Sequence, residues 1–384
     1  MNEERRVVIT GMGTVNASST GGTDAVLSSL ALRRPTIRTV RTFAIDGCPS
    51  CLGAEVEESV LTTRLHPDVA RRLSRVCQLT VVACRLAVED SRIEGGPQLG
   101  VVVGTEYGDI RSTVDFVEGF IRYRHSGLSP MTFPNVLMSS MAGAAAIAIG
   151  AKAPSVTVNQ ATVAGDLAVA RAAALVAGGR AAAVVAGGVD ELCEALYRRL
   201  AQMGALSPMR GMGVEGCHPF APDHNGPVLG EGATFLVLED LAYARARGAT
   251  IRAEVLGAAW GNIPTAPHTA RPSQADAHSP VLRLLDHSGI APSALARCYG
   301  SGNGDPEVDD WERALLARDL PDHSCRPGLS PPVSLAPLFG QHAGLGALRV
   351  AAGALDVSQG TGPVLVHGIA RGGCRTAILV GSPV

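Results

Sequence analysis

The stretch 154–191, PSVTVNQATVAGDLAVARAAALVAGGRAAAVVAGGVDE, limits what this chain can fold into more than any other. Val156 and Val158 alternate with polar neighbours, which predicts a strand. The alternation breaks at Gln160–Thr162. An Ala-rich helix is expected from Val163 to Gly178, stopped by Gly178-Gly179. The apolar run Ala182–Ala186 predicts a buried strand closing on Gly187-Gly188. Strand, sharp turn, buried helix and strand make a place where enzymes hold a nucleophile. The turn sits at the positive end of the helix dipole, where unpaired N–H groups favour an anion. A Cys there has its pKa lowered to roughly 3.5–7.5. The residue at this turn is Thr162.

At 384 residues, 46% hydrophobic and 18% charged, the chain can build one large or two average domains, and disorder is not expected. A net charge of −2 gives no electrostatic case for nucleic acid or a membrane surface. Nine cysteines, an odd number, stand singly apart from Cys48-Pro-Ser-Cys51. One such pair is too little for zinc, so buried or free thiols are expected. Met1–Arg6 runs straight into a strand, which predicts no secretory leader and a reducing, cytoplasmic setting. No apolar run reaches the ~20 residues that span a bilayer. The nearest, 163–178, is interrupted by Asp166 and Arg171.

In chain order, a strand is predicted at Arg6–Gly11, a helix at Thr23–Leu32, and irregular structure over 34–68. Val69–Arg92 has helical spacing. Leu99–Gly104 reads as a buried strand and Ile110–Arg124 as a helix with Phe116 and Phe120 on one face. Pro134–Gly150 reads as one helix of small residues and Met, suited to close packing against a partner. Beyond the central stretch come a helix at Leu192–Met203 and a loop over 207–233. A strand at Phe235–Leu238, a helix at Leu241–Gly248 and a strand at Ile251–Leu256 follow. The internal boundary is placed near residue 245, giving halves 1–245 and 246–384.

The second half repeats the first. Residues 83–109 have a counterpart in 281–305, 160–178 in 339–356, and 181–188 in 374–382. This predicts a duplicated α/β fold with helices between two sheets. Unbroken apolar strands fit parallel sheets buried on both faces. The turns at 160–162 and 340–342 are expected to face each other across a pseudo-two-fold axis, with the loop 299–305 beside them.

VVITGMGTV (7–15), VVVGTEYGD (101–109), FPNVLMSSMAGAAAIAIGAKAPSVTV (133–158), AVVAGGVDE (183–191) and the segment 218–249 ending in the GEGA motif and its helix together resemble a β-ketoacyl-acyl carrier protein synthase of the thiolase-like superfamily. The resemblance covers nearly the whole chain. It implies two thiolase-like βαβαβ halves in a layered α-β-α-β-α sandwich. In that family a Cys takes the acyl chain as a thioester, while two His assist decarboxylation of the extender and stabilise its enolate. Such chemistry needs a thiolate and imidazoles that work near neutral pH. This sequence departs at all three positions, which fall on Thr162, Tyr299 and Gln341. Ala336 stands where the family has a Lys, and the C-terminal gating loop becomes GIARGG, with Ile369, Arg371, Gly372 and Gly373 in its degenerate form.

Thr162 is accordingly read as a structural residue capping its helix; as a nucleophile it would need His342 as base. Gln160 lies two residues before the Cys position, out of register with the Gln of aromatic chain-length factors. Tyr299 and Gln341 are expected to fill and hydrogen-bond the former pocket, and His342 to be buried or interfacial. Phe116, Phe120, Phe133, Met138 and Met141 are expected at the dimer contact and inner end of an acyl tunnel, with plain core as the alternative. His218, Asp223 and His224 resemble a metal cluster in composition only, and no metal is expected. Gly230, Glu231 and Gly232 are expected to fix their loop, and Arg122 and Arg124 are a candidate carrier-protein patch.

The resemblance with these losses implies a chain-length factor, the non-condensing subunit of a type II polyketide synthase. Its partners would be a catalytic ketosynthase in a heterodimer and an acyl carrier protein that brings phosphopantetheine; it would have no cofactor of its own. The alternatives are an acyltransferase using Thr162 and His342, or a homodimer that binds acyl chains or carrier protein without catalysis.

Overall fold

The computed structural model describes residues 5–383 except 33, 212, 264, 266–278 and 322–330. Most of the Met1–Arg6 lead-in therefore lies outside the described residues. Nine strands carry the fold: β1 (Val7–Val15), β2 (Leu99–Thr105), β3 (Ser155–Asn159), β4 (Ala183–Asp190), β5 (Gly232–Asp240), β6 (Ala253–Asn262), β7 (Arg297–Tyr299), β8 (Val364–Ile369) and β9 (Cys374–Gly381). They join in the order β7-β8-β9-β6-β1-β5-β4-β2-β3, with Thr20–Gly21 added beside β1. The seven helices that matter here are α1 (Arg75–Ser91), α2 (Ile110–Tyr123), α3 (Ser140–Ile149), α4 (Ala164–Ala177), α5 (Pro280–Ser288), α6 (Pro306–Asp319) and α7 (Gly344–Ser358).

The duplication is visible in the strand pairing. In the first half β2 runs parallel to β4, β4 antiparallel to β5, and β5 antiparallel to β1. In the second, β7 runs parallel to β8, β8 antiparallel to β9, and β9 antiparallel to β6. The halves join through β1 and β6, which pair over Val7–Ile9 only. The equivalent of β4 is thus β8, the strand directly after α7, and not 374–382 as the sequence comparison suggested. Both are short, fully buried apolar strands, so periodicity alone could not rank them.

Helices α4 and α7 lie between the halves and pack on strands of both, while α1 and α3 cover the outer face of the first half and α5 and α6 that of the second. This is the thiolase-like layering that the sequence implied. Among the described residues, no helix is long and apolar enough to cross a membrane.

Two predicted helices are divided. Pro67–Ala70 forms a separate turn before α1, and Phe133–Val136 one before α3. The region 34–68 contains short strands and a helix at Glu58–Arg64. Apolar spacing continued across each break, but the backbone did not.

Close approach in the central layer depends on missing side chains. A Cβ on Gly165 would lie 2.1 Å from the Ala343 carbonyl oxygen, and one on Gly346 2.3 Å from the Asp166 nitrogen. The buried Arg349 guanidinium bonds both oxygens of Asp166, at 2.8 and 2.6 Å, linking α7 to α4. Gly165→Ala is expected to destabilise the protein by about 1–3 kcal/mol, since backbone on both sides of the contact must shift. Thermal or denaturant unfolding checks this; an unchanged midpoint would mean that the layer yields.

Candidate functional site

The two buried helices present their N-termini to one another, and the site is built from the turns before them. Thr162 has φ +55°, the left-handed region, which a β-branched residue enters only under strain. Its side chain makes no cap: the helix is preceded by Val163 with no side-chain cap hydrogen bond. The expected capping Thr is thus corrected to a residue at a strained elbow, the geometry that aims a nucleophile out of a strand–helix turn.

The Thr162 N–H donates to Glu106 Oε2 at 3.0 Å. Glu106 follows β2, and its backbone is held from two sides. The Asp190 Oδ1 accepts from the Thr105 hydroxyl at 2.8 Å and from the Glu106 and Tyr107 N–H groups at 3.0 and 3.2 Å. The Asn159 amide donates to the Thr105 and Glu106 carbonyls at 3.0 and 2.8 Å. The other Asp190 oxygen accepts from the Ala343 N–H at 2.7 Å, which fixes the second turn. Burial first, and the Asp190 charge next, push the Glu106 carboxyl up to about 7.

In that second turn Gln341 is buried, yet neither end of its amide has a hydrogen-bond partner among the described residues. It fills the pocket without bonding it, in contrast to the expectation. His342 is also buried, accepting from the Gly344 N–H at 3.1 Å, and burial lowers its pKa to about 3. A neutral imidazole of such low basicity is a poor base for Thr162.

Tyr299 does not join them. Its hydroxyl donates to Asp356 at 2.8 Å, and burial pushes it up to about 12. Asp356 lies near the far end of α7, twelve residues or about 18 Å from Gly344 at 1.5 Å per residue. Tyr299 is the last residue of β7, and its ring runs back along α7 toward the Arg297–Asp356 pair and not forward to the turns. The segment packed on the elbow is 369–370, and Ser301 holds it. The Ser301 hydroxyl accepts from the Ile369 N–H at 2.8 Å, and Ala370 packs with Val163. Ile369 is fully buried, and Arg371 is clamped on both Asp305 oxygens at 2.7 Å and on Glu307 at 3.0 Å. Gly372 and Gly373 both have positive φ, which turns the chain into β9. Cys374 packs against Val163 and Ala370, but burial pushes its thiol up to about 11, away from thiolate chemistry.

The expected interface residues divide. Met141 is fully buried in the core beneath α3, a correction explained by its inward face on that helix. The others stay outside it: the Phe116 and Phe133 rings lie 5.9 Å apart, and Phe120, Phe133 and Met138 are exposed. Among the described residues, nine of fourteen exposed large hydrophobic side chains fall between Val117 and Ile147, a stretch that ends in the helix packed on β3, so they form a patch and not scatter. Arg122 pairs with Glu118, so the suggested Arg patch is partly neutralised. His218 bonds Asp223 at 3.0 Å, while His224 turns inward to Asp309 at 3.5 Å, so the three do not converge. Glu231 bonds Arg75 and the Val56 and Leu192 N–H groups, fixing the loop through Gly230 and Gly232. Sequence reading missed Glu106 and Ser301. A carboxylate directly after the apolar run VVVGT was the available signal.

Comparison with known proteins agrees with this architecture. Residues 4–244 match the family model described as beta-ketoacyl synthase, N-terminal domain. The chain is 30% identical over 378 residues to a putative polyketide beta-ketoacyl synthase 1 of Streptomyces virginiae, covering 94% of this chain and 87% of that one. It is 26% identical over 373 residues to a 3-oxoacyl-[acyl-carrier-protein] synthase 2 of Coxiella burnetii, covering 95% and 89%. The solved ishigamide ketosynthase/chain length factor superposes with a TM-score of 0.85 at 24% identity, covering 99% of this chain and all of that one. The chain belongs to the beta-ketoacyl synthase family.

Two outcomes are expected. Thr162→Gly relieves the left-handed strain and raises stability by on the order of 1 kcal/mol; a lower unfolding midpoint would mean that contacts of the Thr side chain outweigh the strain. Glu106 titrates near 7 in the fold against about 4.3 unfolded, so ionising it costs the folded state. That cost is absent below the unfolded value, grows as pH rises and is complete above 7. Glu106→Gln is therefore expected to gain stability over the parent at pH 8 and not at pH 4. Equal differences at both would place the carboxyl in water.

Proposed function

We propose that this chain is a non-condensing subunit of a type II polyketide synthase, a chain-length factor that lends shape to the tunnel of a catalytic ketosynthase partner. The observation that carries the reading is the elbow itself. Its backbone is kept at the strained angle a nucleophile needs, yet it holds an alcohol beside an unpartnered amide and a weakly basic imidazole. The Glu106 carboxyl at the elbow is bonded to the Thr162 N–H and not to its hydroxyl, and a Thr hydroxyl with no base bonded to it is a poor nucleophile toward a thioester. The second reading, acyl transfer by Thr162 and His342, is disfavoured by the low basicity of His342.

A partner is supported by the face around β3. The edge segment Ser-Val-Thr-Val-Asn carries no charge and pairs on one side only. Uncharged edges of this kind accept further strands. Ile147 is 85% exposed and Met131 84%, beside Phe133 and Met138. The partner would supply the thiolate, and an acyl carrier protein would supply the chain on its phosphopantetheine arm. Bulky side chains at Phe116, Phe120 and Met138 would then stop the chain by steric limit.

Co-expression with a Cys-bearing ketosynthase is expected to give a stable heterodimer by size measurement. Ile147→Glu should abolish it while leaving this subunit folded. Thr162→Ala should leave product formation by the complex intact, and substitution at Phe116, Phe120 or Met138 should change product length. Loss of turnover in Thr162→Ala with the heterodimer intact, or condensation by this chain alone, would overturn the reading.

A further inference from the structure

We infer that the Glu106 carboxylate is an internal stopper of the Thr162 elbow, occupying the backbone N–H that would otherwise polarise an acyl carbonyl, so that the site refuses acyl thioesters. The inference deepens the reading above and rests on it. Acyl transfer requires N–H donors at the position where the carbonyl oxygen gains charge, and backbone N–H groups beside the nucleophile commonly supply them. Here the neighbouring Val163 N–H bends back to the Ala161 carbonyl, and the Thr162 N–H is taken by Glu106 at 3.0 Å.

The contact is placed by the fold. Three donors on Asp190 and two carbonyl bonds from Asn159 hold residues 105–107 against the turn at 159–162. An ionised carboxylate is also a stronger acceptor for an N–H than the neutral carbonyl of a thioester. An incoming acyl group must therefore displace a better partner that is tethered in place. Loss of the family's nucleophile and loss of its acyl-polarising donor are two separate changes, and Thr162 accounts only for the first.

The test restores the thiol and then removes the stopper. Thr162→Cys, Thr162→Cys/Glu106→Ala and Thr162→Cys/Glu106→Gln are treated at pH 8 with octanoyl-pantetheine, and adducts are followed by intact mass. In the step measured, the introduced thiolate bonds to the carbonyl carbon. The bond from that carbon to the pantetheine sulfur breaks, and the departing thiolate takes a proton from water. Iodoacetamide alkylation of the same variants, which needs a thiolate but no carbonyl polarisation, normalises for thiol acidity. After that correction the Ala variant is expected to acylate roughly 10²-fold faster than Thr162→Cys alone. The Gln variant, whose amide oxygen still accepts the N–H, should stay near Thr162→Cys. Glu106→Ser, too short to reach the N–H, replaces Ala if that variant does not fold. Equal corrected rates with and without Glu106 would overturn the stopper, as would a Gln variant as fast as Ala. Neither result touches the partner role, whereas an acyl adduct on unsubstituted Thr162 would overturn the functional reading itself.

Discussion

Asp190 sits buried at the end of β4 and accepts four hydrogen bonds with one carboxylate. Three come from the end of β2 and one from the turn before α7. A single charge therefore fixes, to each other, the two loops that shape the site. Such charge-assisted bonds in a low-dielectric interior are strong, and each donor left unpaired by its loss would cost about 1–3 kcal/mol. Burial raises the Asp190 pKa, and its charge in turn helps to raise that of Glu106. The electrostatics of the elbow begin at this residue.

Around that point the duplicated halves meet through backbone and not through side chains. Gly165, Gly188 and Gly346 leave room for the Ala343 carbonyl and the start of α4. Arg349 and Asp166 then bridge the two helices in a fully buried pair, where removing one partner would leave the other charge uncompensated. The result is a rigid frame whose most strained residue, Thr162, is over-determined by its neighbours. Packing and not reactivity holds a frame of this kind.

The side chains around the elbow are held by bonds and by burial. The loop 368–373 is tied down by Arg371, which bonds Asp305 twice and Glu307 once. His342 is neutral and Gln341 only fills volume. What remains outward-facing is an apolar surface beside an unpaired strand, a feature that a self-sufficient monomer avoids.

The amino-acid sequence by itself determined the layered α/β architecture, the duplication and the elbow. Those depend on local patterns: alternation at Val156 and Val158, the Ala-rich run after Thr162, and apolar strands with no polar face. It also placed an alcohol, Thr162, at the elbow. Tertiary structure alone decided which residues face each other. It sent Tyr299 to the far end of α7, because the Asp356 carboxylate, already paired with Arg297, takes its hydroxyl there. It moved Met141 into the core, and it made the strand after α7 the counterpart of the one after α4. It also laid Glu106 on the Thr162 N–H, a contact across 56 residues that no local spacing encodes, since only the shared hold of Asp190 and Asn159 brings those two loops together.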